Sequence, residues 1–107
     1  MEASLAFYRE IVGLPLDRQF AAPDGSAYAF LGEGETKLEL IAHPAEQTPV
    51  FGGEVSIGFS VDSLEEKLRF VKEKGLSVEG PFAPGPMVRF FFVRDPNGLR
   101  VQFVQTK

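Results

Sequence analysis

The stretch Val88–Gln105, VRFFFVRDPNGLRVQFVQ, leaves the chain few choices. Two runs dense in Phe and Val flank Asp95-Pro96-Asn97-Gly98. Aromatic and β-branched side chains favour a pleated, half-buried surface. Pro96 presets one turn angle, and Asn97 and Gly98 tolerate positive φ, so these four residues predict the turn of a β-hairpin. In the second arm a period of two separates Leu99, Val101 and Phe103 from Arg100, Gln102 and Val104. The first set calls for a helix over it. The second carries a guanidinium and an amide, so it meets water or a ligand.

A hairpin of this kind needs a core to lean on. With 107 residues and 44% hydrophobic content, the chain predicts one domain that is large enough to build that core without staples. Eleven Phe and no Trp make the core heavy in apolar aromatics. Net charge is −4 and no Lys/Arg block occurs, which argues against nucleic acid or an anionic membrane as partner. Without Cys there is neither a disulfide framework nor thiol chemistry. No apolar run approaches spanning length, and Met1-Glu2-Ala3-Ser4 does not open a signal peptide, so a soluble, cytoplasmic protein is expected.

Ahead of the hairpin, Ser4–Val12 predicts a short helix capped by Ser4, with Leu5, Tyr8 and Val12 on one stripe and Gly13 after the last turn. An extended segment follows to about Phe20, then a turn at Pro23-Asp24-Gly25. Tyr28–Leu31 and Lys37–Ile41 pair as a second hairpin through Gly32-Glu33-Gly34-Glu35. His43–Gly53, with two Pro and two Gly, links two halves. Glu54–Val61 alternates strictly: Val55, Ile57, Phe59 and Val61 on one face, Glu54, Ser56, Gly58 and Ser60 on the other. Ser63-Leu64-Glu65-Glu66 is a capping box opening a helix whose stripe is Leu64, Leu68 and Val71, with a Glu65–Arg69 pair and Gly75 at its end. Leu76–Val78 is extended, and Pro81–Pro86, with three Pro and a Gly, predicts a loop.

The halves answer each other. Ser4, Gly13 and Leu14 match Ser63, Gly75 and Leu76, and the Tyr28–Ile41 hairpin matches Val88–Val104. This is a tandem duplication in pattern within a single domain: module one 1–43, linker 44–53, module two 54–107. The strand Glu54–Val61 has no counterpart before the first helix, so on internal symmetry the first module lacks its first strand.

Four pieces in order carry a resemblance. They are Ala3-Ser4-Leu5-Ala6-Phe7-Tyr8 with Gly13-Leu14, then Leu38-Glu39-Leu40, then Ile57-Gly58-Phe59-Ser60-Val61-Asp62-Ser63-Leu64, and last Asp95-Pro96-Asn97-Gly98 with Val101-Gln102-Phe103. Together they resemble the vicinal oxygen chelate superfamily, which includes glyoxalase I, bleomycin-resistance proteins and extradiol dioxygenases. The resemblance implies an α+β fold of two βαβββ modules forming a curved sheet around a cavity. It also implies a divalent metal held by one side chain from each of four strands. Of those four positions the first has no counterpart here, and the second is Glu39. The third is Ser56 where His is expected, and the fourth is Gln102 where Glu is expected. A catalytic divalent site needs about three ligands drawn from imidazoles and carboxylates. Glu39 and Gln102 are thus the residual metal ligands of an incomplete set, and tight metal binding is not expected.

Glu39 reads as a cavity carboxylate, a general base or relic ligand, against a solvated strand residue paired with Lys37. Arg100 and Gln102 share the outward parity of the last strand; a cavity Arg suits an anionic ligand, and a cavity Gln offers hydrogen bonds. Ser56 and Ser60 are small polar groups for direct or water-bridged ligand contacts. His43, the only histidine, precedes Pro44 at the linker mouth and reads as a surface loop residue. Tyr8 and the Phe90-Phe91-Phe92 run read as core, although one parity of that run must line the cavity. The expected function is binding or transforming a small molecule in a sheet-lined cavity without a complete metal site. The alternative is a metal-dependent glyoxalase-like lyase or isomerase with Glu39 as ligand or base. A third reading is a structural or vestigial role for a chain lacking its first strand. An open first-module sheet edge, with the family's habit of pairing modules across subunits, predicts a homodimer.

Overall fold

The computed structural model describes residues 1–44, 51, 52 and 54–106. The chain divides into two compact units, Met1–Pro49 and Val50–Lys107. Most of the expected linker, 44–53, lies outside the described residues.

The first unit opens with helix α1 (Glu2–Ala6), which widens into a π-helical stretch over Phe7–Val12. Gly13 stops it at φ 92°, a left-handed conformation suited to glycine. Ser4 is not the cap: it lies inside α1 and is buried, with Met1 in the capping position. The buried stripe is Ser4, Phe7, Tyr8 and Ile11 rather than Leu5, Tyr8 and Val12. Residues 5, 7, 8, 11 and 12 are all apolar, so the sequence supports two overlapping stripes. The wider π winding accompanies burial of the Phe7/Ile11 stripe, with Phe7 and Tyr8 edge-to-face at 5.0 Å.

Strands β1 (Leu16–Ala21), β2 (Ala27–Leu31) and β3 (Leu38–Ala42) follow as an antiparallel sheet in that order. Ala29 and Leu31 are fully buried on one face. The other face carries Phe20 stacked on Tyr28 at 5.2 Å, and Arg18 lying 4.6 Å over the Phe30 ring. The β1–β2 turn is tied down by groups the sequence does not pair. Asp24 accepts from the Ser26 backbone N–H at 2.9 Å, a bond that holds its carboxyl below the usual range. The fully buried Ser26 hydroxyl meets His43 Nδ1 at 2.7 Å. His43 is exposed as expected, yet it serves as an anchor for this turn.

The second unit runs β4 (Ser56–Ser60), α2 (Leu64–Glu73), β5 (Glu79–Gly85), β6 (Val88–Arg94) and β7 (Arg100–Thr106). Its sheet has the order β4-β7-β6-β5, with β4 parallel to β7 and the other pairs antiparallel. Ser63 caps α2 by accepting from the Glu66 N–H at 3.3 Å. The helix lays Leu64 and Val71 over Phe91, Val93, Val101 and Phe103, all 2% exposed or less. That core is the apolar alternation of the opening hairpin. Glu65, expected to pair with Arg69 along the helix, is instead held by Arg89 on β6, whose hydrogen bonds keep its carboxyl below the usual range.

The expected loop Pro81–Pro86 is for most of its length an edge strand. Phe82 pairs with Phe90 and Gly85 with Val88, with register shifts between the pairs. Proline lacks an N–H and is tolerated only where no ladder bond is needed, which an irregular edge strand provides. Strand β4 is shorter than Glu54–Val61, and Val55 is exposed beside it. The architecture is α+β, with helix and sheet in each unit in the manner of βαβββ modules. Among the described residues no strand precedes α1, and no helix is long and apolar enough to cross a membrane.

Candidate functional site

Helix α2 covers one face of the second sheet, so the site is built on the other. The Asp95-Pro96-Asn97-Gly98 turn fixes which residues reach it. Asp95 Oδ1 accepts from the N–H groups of Asn97 and Leu99, both at 2.9 Å, and Gly98 takes φ 90°. The register this sets pairs Phe91 with Phe103 and Val93 with Val101 in the core. It therefore pairs Phe90 with Val104 and Phe92 with Gln102 on the open face. The parity of the Phe run, which the sequence leaves undecided, is settled: Phe90 and Phe92 line the open face and Phe91 is core.

Strand β4 continues the same face. Its parallel register sets Ser56 beside Arg100, Gly58 beside Gln102 and Ser60 beside Val104. Gly58 leaves room for the Gln102 amide: a Cβ there would sit 2.7 Å from Gln102 Oε1, the movable end of that side chain. Its hydrogen lets the amide lie across the strand. On the far edge β5 contributes Phe82, 5.6 Å from the Phe90 ring and 6.4 Å from that of Phe92. Phe90 and Phe92 stand edge-to-face at 5.6 Å. Arg100 lies with its guanidinium carbon 3.9 Å over the Phe92 ring, a cation–π contact. These groups border an open groove of about 610 Å³ lined by Phe82, Ala83, Pro84, Phe90, Phe92 and Arg100.

Four of the expected site residues, Ser56, Ser60, Arg100 and Gln102, thus share one face. The fifth, Glu39, is in the other unit, exposed on the open face of the first sheet and opposite Phe30. Lys37 does not partner it. The ammonium donates to the Gly32 carbonyl at 2.8 Å and lies 3.9 Å from Asp17. Phe82, Ala83 and Pro84 were hidden by their prolines, which read as loop.

A family model, Glyoxalase/Bleomycin resistance protein/Dioxygenase superfamily, matches residues 1–103. The chain belongs to this superfamily. It is 34% identical over 116 aligned positions to a lactoylglutathione lyase of Neisseria meningitidis, covering all of this chain and 83% of that protein. Among solved structures, the trypanothione-dependent glyoxalase I of Leishmania major superposes with a TM-score of 0.83 at 22% identity, over 98% of this chain and 78% of that one. The antibiotic-binding protein TnmS3 of a Streptomyces species superposes at 0.75 and 22% identity, over 99% and 86%. These two likenesses establish the fold.

Superfamily membership brings a divalent metal into consideration, and donor chemistry decides whether these residues suit one. The positions that the resemblance implies for a metal carry a carboxylate at Glu39 in the first unit, and an alcohol at Ser56 and a neutral amide at Gln102 in the second. Among the described residues, no three His, Asp or Glu side chains converge as a ligand set. An alcohol at Ser56 and a neutral amide at Gln102 are weaker donors than the imidazole and carboxylate the resemblance expects there, so these two positions suit a tightly held catalytic divalent ion poorly.

Proposed function

We propose that this superfamily member binds or transforms a small molecule on the open face of its second sheet, without a complete metal site. The observation that carries this reading is the groove of about 610 Å³ walled by three Phe with a single Arg beside them. Small-molecule sites span roughly 300–1,000 Å³ and pair an apolar lining with a few placed polar groups. Arg100 and Gln102 supply charge and hydrogen bonds at the groove and beside it, and Ser56 and Ser60 extend that polar edge. Glu39, exposed on the first sheet, is a candidate general base or relic ligand on the resemblance alone.

A second reading, a metal-dependent lyase or isomerase using Glu39, is favoured by the name of the 34%-identical relative. Native mass spectrometry separates the two and tests assembly as well. We expect a homodimer of twice the 11.8 kDa chain mass, with no stoichiometric zinc, nickel, manganese or iron. About one metal per chain, lost in Glu39→Ala, together with formation of lactoylglutathione by the loaded protein, would establish the second reading instead. A monomer at micromolar concentration would refute the dimer.

A further inference from the structure

Arg100 is placed oddly for a structural residue. Its side chain is 26% exposed, while its Nε is buried and makes no hydrogen bond among the described residues. A buried donor left unsatisfied costs stability, and charged donors cost more. Glu79 Oε1 forms an ion pair with the Arg100 Nε at 3.5 Å, without a hydrogen bond. That same oxygen lies 3.8 Å from Arg94 Nη2, while Arg94 Nη1 donates to the Gly98 carbonyl at 3.0 Å. Two guanidiniums therefore share one half-exposed carboxylate oxygen among the described residues. The Arg100 guanidinium carbon lies 3.9 Å from the Phe92 ring centroid, which holds this cation at the groove.

Beside this cation stand the rings of Phe82 and Phe90. Phe82 is 45% exposed, so its apolar surface is uncovered beside a guanidinium whose Nε makes no hydrogen bond. We propose that the groove selects a planar aromatic ligand bearing an anionic group, whose ring packs on Phe82 and Phe90 and whose anion accepts from the Arg100 guanidinium. This rests on the groove being the ligand site. A neutral aromatic would gain the stacking and leave Arg100 as it is. An aromatic cation would gain the rings but meet the Arg100 guanidinium.

The test uses two fluorescent probes that share one skeleton, 8-anilino-1-naphthalenesulfonate and the neutral N-phenyl-1-naphthylamine. A hydrogen bond from a charged donor is worth enough to make the sulfonate bind about tenfold tighter or more, at about one per chain. Arg100→Gln removes that advantage and leaves affinity for the neutral amine within about twofold, whereas Phe90→Ala weakens both probes. If Arg100→Gln does not fold, salt serves in its place: going from about 0.05 to 0.5 M weakens the sulfonate and spares the amine. Equal affinity for both probes in the unaltered protein overturns the anion preference but keeps the groove as a binding site. A sulfonate affinity untouched by Arg100→Gln also overturns it. Failure of both probes to bind the folded protein overturns the groove reading itself, and the preference with it.

Discussion

Phe103→Ala is expected to destabilise the fold by about 3–5 kcal/mol in denaturant unfolding. Phe103 is fully buried between α2 and the hairpin, 5.5 Å from the Phe91 ring, and its removal leaves a cavity that a close-packed core cannot fill. The Lys67 ammonium, 5.0 Å over that ring, loses its contact too; burial there pushes its pKa down. Gln102→Ala, one residue earlier and on the opposite face, should cost under about 1 kcal/mol. Side chains alternate with a period of two, so equal losses at the two positions would mean the register is shifted by one residue.

Asp95→Ala ranks next, at about 2–3 kcal/mol. The Asp95 side chain is buried, and Oδ1 accepts from two partly buried backbone N–H groups that lose this acceptor in the variant. Asn keeps an acceptor at the same place, so Asp95→Asn should recover a large part of the loss. Amide shifts of Asn97 and Leu99 report the turn directly. An Asp95→Ala protein with unfolding midpoint and amide shifts unchanged would show that Pro96 and Gly98 hold the turn alone.

The elements that were legible in the sequence are those whose local chemistry and tertiary role agree. Asp95-Pro96-Asn97-Gly98 is a turn by propensity and by packing, and the alternation on either side of it separates core from open face. The same alternation brought Ser56, Ser60, Arg100 and Gln102 together, because β4 and β7 pair in register. Strand β5 was not legible, since two prolines and two glycines within Glu79–Gly85 say loop, and only pairing with β6 recruits it as an edge strand. Phe82 went with it, and with it one wall of the groove. The first helix carries two overlapping apolar stripes, and a π winding is invisible to a 3.6-residue template. The Glu65–Arg89 and Ser26–His43 pairs join residues far apart in sequence, a choice no local rule makes.

The most direct measurement is an amide chemical-shift map of chelator-treated protein titrated with the anilinonaphthalenesulfonate. Binding on the open face of the second sheet, with no metal required, should concentrate the shifts at Ala83, Phe90, Phe92, Arg100 and Gln102. Lys72 and Glu73, exposed near the end of α2, should stay still. Shifts centred on α2, or binding that appears only after a divalent metal is restored, would contradict it.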